Sequence, residues 1–243
     1  MRGIILAGGH ATRLRPLTAI TSKQLLPVYN KPMIFYPLET LIGAGIRDIL
    51  IIIAPEYAGH FLNLLGSGKE FGPGVRFTYE IQEQPRGLAD AFRIGEKFID
   101  AENVAMILGD NIFIDDLRSE ISSFKKGARI FAKEVPDAQR FGVIEFDKNF
   151  KALSIEEKPK TPKSSHAVTG LYLYDARVVD VARSLVPSAR GELEITDVNN
   201  WYLKRGELDV RIIRQPWFDA GTFDSLLEAS HYVANRDRKK TTE

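Results

Sequence analysis

The chain has 243 residues, 44% of them hydrophobic and 27% charged, the composition of a globular protein rather than a disordered or fibrous one. It contains no cysteine, which excludes a disulfide framework, a thiolate metal site and a thiol nucleophile. With 33 basic and 32 acidic side chains the net charge is +1, so no global field draws in nucleic acid or anionic lipid.

The charge is nevertheless uneven. Residues 1–38 hold Arg2, Arg13, Arg15, Lys23 and Lys31 and no acid, which points to an anionic ligand at that end. The longest apolar stretches, residues 49–55 and 104–108, fall far short of the ~18 residues of a membrane span. The apolar run after Arg2 is too short for a secretory leader, and a cytoplasmic location is expected.

In chain order, the first half alternates short apolar runs with amphipathic segments, as βα units feeding a mainly parallel sheet do. Strands are expected at residues 3–7, 48–54, 76–82, 104–108 and 128–133, mostly continuous in apolar character as strands covered on both faces are. Between them, Pro32 is expected to open a helix with Ile34, Leu38, Leu41 and Ile42 on one stripe, and Leu88, Ala91, Phe92, Gly95, Phe98 and Ile99 mark another. From Phe141 the pattern changes to alternation, with Val143, Glu145 and Asp147 opposite Ile144 and Phe146. A turn at residues 147–149 and a second alternating run through Ile155 make this a hairpin. A proline- and serine-bearing loop precedes a strand at 168–174. Helical patterns follow at 178–185 and 195–204, then a strand at 210–213. A helix starts near Phe223, and the polar residues 235–243 are expected to fray. There is no internal repeat and no linker between independent domains.

The segment LAGGHATRLRP, residues 6–16, follows the first strand and turns the backbone sharply at two glycines. Backbone N–H groups there, with Arg13, Arg15 and Lys23 close by, would form a nest for nucleotide phosphates; a tight surface turn with solvated arginines fits the segment equally well. Gly66, Gly68, Lys69 and Glu70 have the wrong spacing for a Walker loop. Adjacent Gly8 and Gly9 do not match G-x-G-x-x-G, and the first acid after them, Glu39, lies inside an expected helix.

Asp110 ends VAMILGD and should project from the carboxyl edge of a parallel strand, where ligands bind in open α/β sheets. Asp219, in WFDAGT, offers a second carboxylate, and two acids plus phosphate oxygens suffice for Mg²⁺. Each alone reads more readily as a turn or cap residue; together with the phosphate loop they read as a metal pair. No His-x-His pair or Gly-x-Ser-x-Gly elbow is present. His60, His166 and His231 read as surface residues, and His10 stands out only by its loop. An anionic nucleophile needs no general base. It needs cations and positioning, because unit charges ~4 Å apart repel by about 4 kcal/mol at an effective dielectric near 20.

The strings IILAGGHATRLRPLT, SKQLLPVYNKPMIFYPLETL, GLADAF, ILGDNIF, FGVIEF, EEKPKTPKSSHAVTGLYLYD, RGELEITDVNNWYL and WFDAGT, in this order, resemble the sugar-1-phosphate nucleotidylyltransferases. They are specific for that superfamily and point to its thymidylyl branch in short form; guanylyl, adenylyl and longer uridylyl relatives differ around residues 23–28. The resemblance covers nearly the whole chain. It implies an α/β fold with a mixed, mainly parallel sheet, helices on both faces and a Rossmann-like character. It also implies one domain over 1–243, with a nucleotide-binding half at about 1–135 and a sugar-binding half at about 136–243.

The implied reaction joins dTTP to glucose 1-phosphate with release of pyrophosphate. By resemblance, Leu6, Gly8, Gly9, Thr12, Arg13 and Gln24 contact the nucleotide, Gln82 and Gly87 read the pyrimidine, and Arg13 and Lys23 are catalytic. Asp110 and Asp219 would hold Mg²⁺ beside Asn111. Gly142, Glu157 and Val168 would meet sugar hydroxyls, and Lys158 the sugar phosphate. Without the resemblance, Gln82 reads also as a polar strand end, and on spacing alone the Glu157–Lys158 pair reads more readily as an exposed hairpin terminus. The resemblance implies small-molecule substrates rather than nucleic acid or membrane, and is compatible with a homo-oligomer.

Two departures stand out. Ala11 replaces the family's usual glycine and should restrict positive φ and phosphate approach. The chain also stops soon after the helix at Phe223, where longer members continue into a regulatory end-product site, so feedback by that route is not expected. Two readings therefore stay beside the dTTP reaction: a non-catalytic nucleotide-sugar binding or regulatory protein, hinted at only by Ala11, and the same reaction with UTP, since Gln82 pairs with either base. A nicotinamide oxidoreductase is disfavoured by the missing glycine fingerprint.

Overall fold

A computed structural model describes residues 1–9 and 11–241; His10, singled out above for its loop, lies outside the described residues. The first apolar run forms β1 (Arg2–Ala7), and after the basic turn come the two-residue strands β2 (Pro27–Val28) and β3 (Lys31–Pro32). Helix α1 (Phe35–Gly43) leads to β4 (Asp48–Ile53), α2 (Ala58–Leu65) to β5 (Arg76–Ile81), and α3 (Asp90–Ile94) with α4 (Glu96–Ile99) to β6 (Val104–Leu108). Then follow β7 (Asn111–Phe113), α5 (Arg118–Ser122), β8 (Ala128–Glu134), β9 (Gly142–Phe146), β10 (Ala152–Glu157) and β11 (His166–Tyr174). Helices α6 (Val178–Ser184) and α7 (Ile195–Leu203), strands β12 (Leu208–Ile212) and β13 (Trp217–Asp219), and helix α8 (Phe223–Thr241) complete the chain.

The nine-stranded sheet runs β10-β9-β11-β6-β1-β4-β5, with β8 also on β11 and β12 on β8. Pairing is parallel from β6 through β1 and β4 to β5, whereas β11 is antiparallel to β6, β8 and β9. With β12 parallel to β8 and β10 antiparallel to β9, seven of the nine strands run the same way as β1, a mixed and mostly parallel sheet.

The period-two geometry of β1 divides its side chains between two cores. Ile4 and Leu6 pack with Phe92, Val178, Val181 and Tyr202 beneath α3, α6 and α7. Ile5 and Ala7 pack with Leu38, Leu41, Phe61 and Ile121 beneath α1, α2 and α5. Both faces are therefore covered by helices, and each fully buried Ile or Leu contributes about 1.5–3 kcal/mol of transfer free energy. A third, smaller core joins Val28, Met33, Ile112, Phe218, Ala229 and Val233, which holds the β7–β13 ribbon against α8.

Several elements depart from the sequence reading. Pro32 sits in β3, and the helix starts only at Phe35. The apolar run through residues 88–99 is two short helices broken at Gly95, which is tightly packed: a Cβ there would lie 3.0 Å from the Ala91 carbonyl and the Leu50 methyl. Strand β5 is an edge with Phe77 its only buried member, and it is not covered on both faces. In the hairpin, Val143 and Ile144 are both buried, because β9 lies between β10 and β11 and its start is covered on both sides. Residues 235–241 do not fray but continue α8, which contains no glycine or proline and is anchored by buried Ala229 and Val233. Thr242 and Glu243 lie outside the described residues.

Candidate active site

Strands β1 and β6 are neighbours in parallel, so the turns that follow them open side by side at the carboxyl edge of the sheet. After β1, the turn is stitched to its neighbour by the Gly109 amide donating to the Leu6 carbonyl at 3.0 Å. Gly8 lets Gln82 lie close over the turn: a Cβ there would stand 2.7 Å from Gln82 Oε1, which projects from the residue after β5. Ala11 takes the left-handed conformation, φ 48°, and its carbonyl accepts from Leu14 N at 3.1 Å and Thr18 Oγ1 at 2.8 Å. Ala11 thus holds the positive φ at a strain of order 1–2 kcal/mol.

These turns border a cavity of about 540 Å³. Its lining includes Leu6, Gly8, Gly9, Arg13, Lys23, Gln24, Gln82 and Gly87 from the first half. Asp110 and Asn111, also from the first half, and Gly142, Glu157, Lys158, Val168 and Asp219 from the second complete it. Of the described residues singled out for the site in the sequence, Thr12 and Arg15 do not line it; both are exposed, on either side of Arg13 at its short turn. The five N-terminal cations do not act together either. Arg2 pairs with Asp48 and Glu102 at 3.1 Å each, Lys31 pairs with Glu39, and only Arg13 and Lys23 reach the cavity.

Lys23 donates to Asp110 Oδ2 in a largely buried ion pair, and Asn111 Nδ2 donates to Asp110 Oδ1 at 3.2 Å. Burial pushes the Asp110 carboxyl up, but the Lys23 ammonium and the Asn111 amide hold it below the ordinary carboxylate range. Asp219 behaves oppositely. Burial and then the negative charge of Asp110 push its pKa up to about 6, against weaker opposing pulls from Lys23 and Arg13. The two acids are tied through the backbone: Asp219 stands opposite Asn111 in the β7–β13 ribbon, and Ala220 N donates to the Asp110 carbonyl at 3.0 Å.

Among the described residues no group of three or more His, Cys, Asp or Glu is placed to hold a metal. The donor set does fit a hard divalent cation that takes further oxygens from a phosphate, since it offers two carboxylates, one of them held against its own ionisation by its neighbour.

On the opposite wall, Glu157 Oε2 accepts from Thr196 Oγ1 at 2.6 Å, and Gly142 leaves room for this pair, since a Cβ would lie 3.2 Å from that hydroxyl. Arg190 Nη2 stands 3.9 Å from Glu157 Oε1 and is held at 3.0 Å by Glu194, while Lys158 Nζ is 3.8 Å from Glu157 Oε1. Gly87, φ 104°, lies so close to the segment before α7 that a Cβ would sit 2.4 Å from the Leu193 carbonyl. Leu193 in turn exchanges hydrogen bonds with Arg86 and Ala89.

The lining residues missed in the sequence include Arg190, Thr196 and Trp217, whose Nε1 donates to Asn111 Oδ1 at 2.7 Å. The first two fall in a segment whose amphipathic period pointed to packing. The GE dipeptide after Arg190, which interrupts that period, was the available signal for a loop carrying polar groups to a site.

A glycine turn, two cations and two acids gathered at the carboxyl edge of a mixed α/β sheet define a nucleotidyl-transferring fold. The chain belongs to the nucleotidyl transferase family, whose model matches residues 2–236. It is 54% identical over 239 residues to the glucose-1-phosphate thymidylyltransferase of Neisseria meningitidis, covering 96% of this chain and 82% of the relative. It is 52% identical over 245 residues to the Mycobacterium tuberculosis protein of the same name, covering 99% and 84%. A Bacillus anthracis crystal structure assigned as a glucose-1-phosphate thymidylyltransferase, in complex with sucrose, superposes with a TM-score of 0.90 at 49% identity, covering 96% and 94% of the two chains. A UDP-glucose pyrophosphorylase shares the fold, with a TM-score of 0.86 at 24% identity, covering 97% and 98%. Members of the family generally act with a divalent metal.

Proposed function

We propose that the chain catalyses thymidylyl transfer from dTTP to glucose 1-phosphate, giving dTDP-glucose and pyrophosphate. One observation carries this reading beyond the likeness to relatives: Arg13 and Lys23 meet Asp110 and Asp219 in one cavity, with a hydroxyl-reading wall of Glu157 and Thr196 opposite. An oxygen of the sugar phosphate attacks the α-phosphorus in line; the new P–O bond forms as the bond to the β-phosphate oxygen breaks, and pyrophosphate leaves with that electron pair. The nucleophile is already an anion, so no proton has to be removed.

In this reading, Gly8 and Gly9 let the backbone approach the triphosphate, and Arg13 and Lys23 neutralise charge that would otherwise keep the two esters apart. Gln24 contacts the nucleotide, while Gln82 and Gly87 read the pyrimidine. Gly142, Glu157 and Val168 border the sugar, and Lys158 and Arg190 hold its phosphate. Asp110 and Asp219 would hold Mg²⁺ beside Asn111, which supplies electrostatic stabilisation to the reacting phosphates. We place the reaction in the cytoplasm, because both substrates are multiply charged phosphates that do not cross a bilayer unaided.

Pyrophosphate release from dTTP and glucose 1-phosphate, measured with Mg²⁺ for the wild type and Asp110→Ala, tests this. The variant is expected to lose about 10²–10³-fold in kcat, the usual scale for an electrostatic anchor. An unchanged rate removes Asp110 from the metal site, and a wild type inactive with dTTP and UTP alike removes the reaction. A grid of nucleotides and sugar phosphates fixes the substrate pair.

A further inference from the structure

Gln82 lies at the boundary between two cavities. One face borders the site described above; the other borders a separate groove of about 430 Å³ lined by Arg86, Asp90, Arg93 and Arg183. The Gln82 side chain is buried, and its two amide atoms have different neighbours. Oε1 lies over Gly8, at the place where a Cβ would come within 2.7 Å. Nε2 donates to Asp90 Oδ2 at 3.2 Å. Asp90 is itself buried, borders the groove, and does not border the active-site cavity.

A primary amide can turn over by exchanging its oxygen and nitrogen, and only the partners of those atoms decide which way it faces. A carboxylate accepts and cannot donate, so it tolerates nitrogen beside it and repels oxygen. The distinction matters for reading a pyrimidine. Thymine and uracil present an N3–H donor next to the O4 acceptor, which an amide matches with its oxygen and its second N–H. Cytosine presents an N3 acceptor next to an N4 amino donor, which only the turned-over amide matches. The orientation of Gln82 therefore separates the two classes of pyrimidine.

We propose that Asp90 is a positioning residue: from outside the active-site cavity it locks the Gln82 amide in the orientation that accepts thymine or uracil and rejects cytosine. The lock rests on the reading above that Gln82 faces the base. It does not rest on Asp90 touching the nucleotide.

The test compares steady-state rates with dTTP and dCTP for the wild type, Asp90→Asn, Gln82→Ala and the double variant, with folding checked by circular dichroism. Asparagine has the shape of aspartate but can donate as well as accept, so it allows both orientations. The expected result for Asp90→Asn is a kcat for dTTP within about twofold of wild type, a KM raised several-fold, and a dTTP-to-dCTP ratio of kcat/KM reduced by at least about tenfold. In the Gln82→Ala background the same substitution should leave the ratio unchanged. An Asp90→Asn enzyme that keeps the wild-type ratio, or one that slows equally with both nucleotides, overturns the proposal and leaves Asp90 a helix-start residue. A wild type that turns over neither nucleotide removes the base-reading role of Gln82, and the lock falls with it.

Discussion

Asp219 is a carboxylate held where its charge is unwelcome. Its pKa of about 6 exceeds the ordinary aspartate value because the side chain is buried beside Asp110, itself ionised through Lys23. The folded protein therefore binds this proton more tightly than the unfolded chain does. The stability contributed by protonation is complete below the unfolded value near 4 and is lost as pH rises through about 6. Without divalent metal, Asp219→Asn should be more stable than wild type at pH 7 by up to about 3 kcal/mol, with the difference vanishing near pH 4. Chemical denaturation of both proteins in a chelator at pH 4, 5, 6 and 7 measures this; a pH-independent difference contradicts it. The variant should lose nucleotidyl transfer at the same time, a local case of stability given up for function. Ala11 adds a second such cost, since its left-handed backbone would be free of strain with glycine.

At the scale of elements, the loop from β5 to α3 and the segment before α7 act as one unit, joined where Gly87 meets Leu193. Gly87→Ala would place a Cβ 2.4 Å from the Leu193 carbonyl on a backbone at φ 104°, so the loop must move. A destabilisation of about 2–4 kcal/mol is expected, together with a raised KM for nucleotide. A thermal-shift measurement with and without dTTP checks both, and an unaltered midpoint would contradict the coupling.

How much of this was readable beforehand depends on the kind of signal. Continuous apolar runs such as 104–108 located strands to within a residue or two, and the turn glycines with Arg13 and Asp110 marked the site. Pro32 misled because its fixed φ suits a helix start and an edge ribbon alike. The one-sided coverage of β5 was legible in the alternation of Arg76, Thr78 and Glu80 with Phe77, Tyr79 and Ile81, whereas its place at the edge is defined by the missing neighbour. Arg190 and Thr196 were obscured because a packing period outweighed a short interruption, and only the tertiary fold carries them to Glu157.

Across the whole molecule, β11 pairs with β8 along one edge and with β6 and β9 at the two ends of the other, so the sheet runs unbroken between the first and second halves of the chain. One core likewise includes Ile4 and Phe92 from the first half and Val178, Val198 and Tyr202 from the second, with the Phe92 and Tyr174 rings edge-on at 5.3 Å. We therefore expect a single cooperative unit over 1–243. Urea unfolding followed by far-ultraviolet circular dichroism and by the fluorescence of Trp201 and Trp217 should give coincident midpoints. Two separated transitions would show halves that fold independently. Mg²⁺ with dTTP should raise the common midpoint by mass action on the folded state.

The ribbon of β7 and β13 stands apart from the main sheet, and Phe218, one residue before Asp219, is wedged among Ala229, Val233 and Met33. Helix α8 contributes no residue to the cavity lining, yet its inner face is the floor on which the strand carrying Asp219 rests. Chemistry in this enzyme is thus hostage to upholstery: trimming Val233 would tilt Phe218, swing a carboxylate out of aim and dim turnover well before the protein melts.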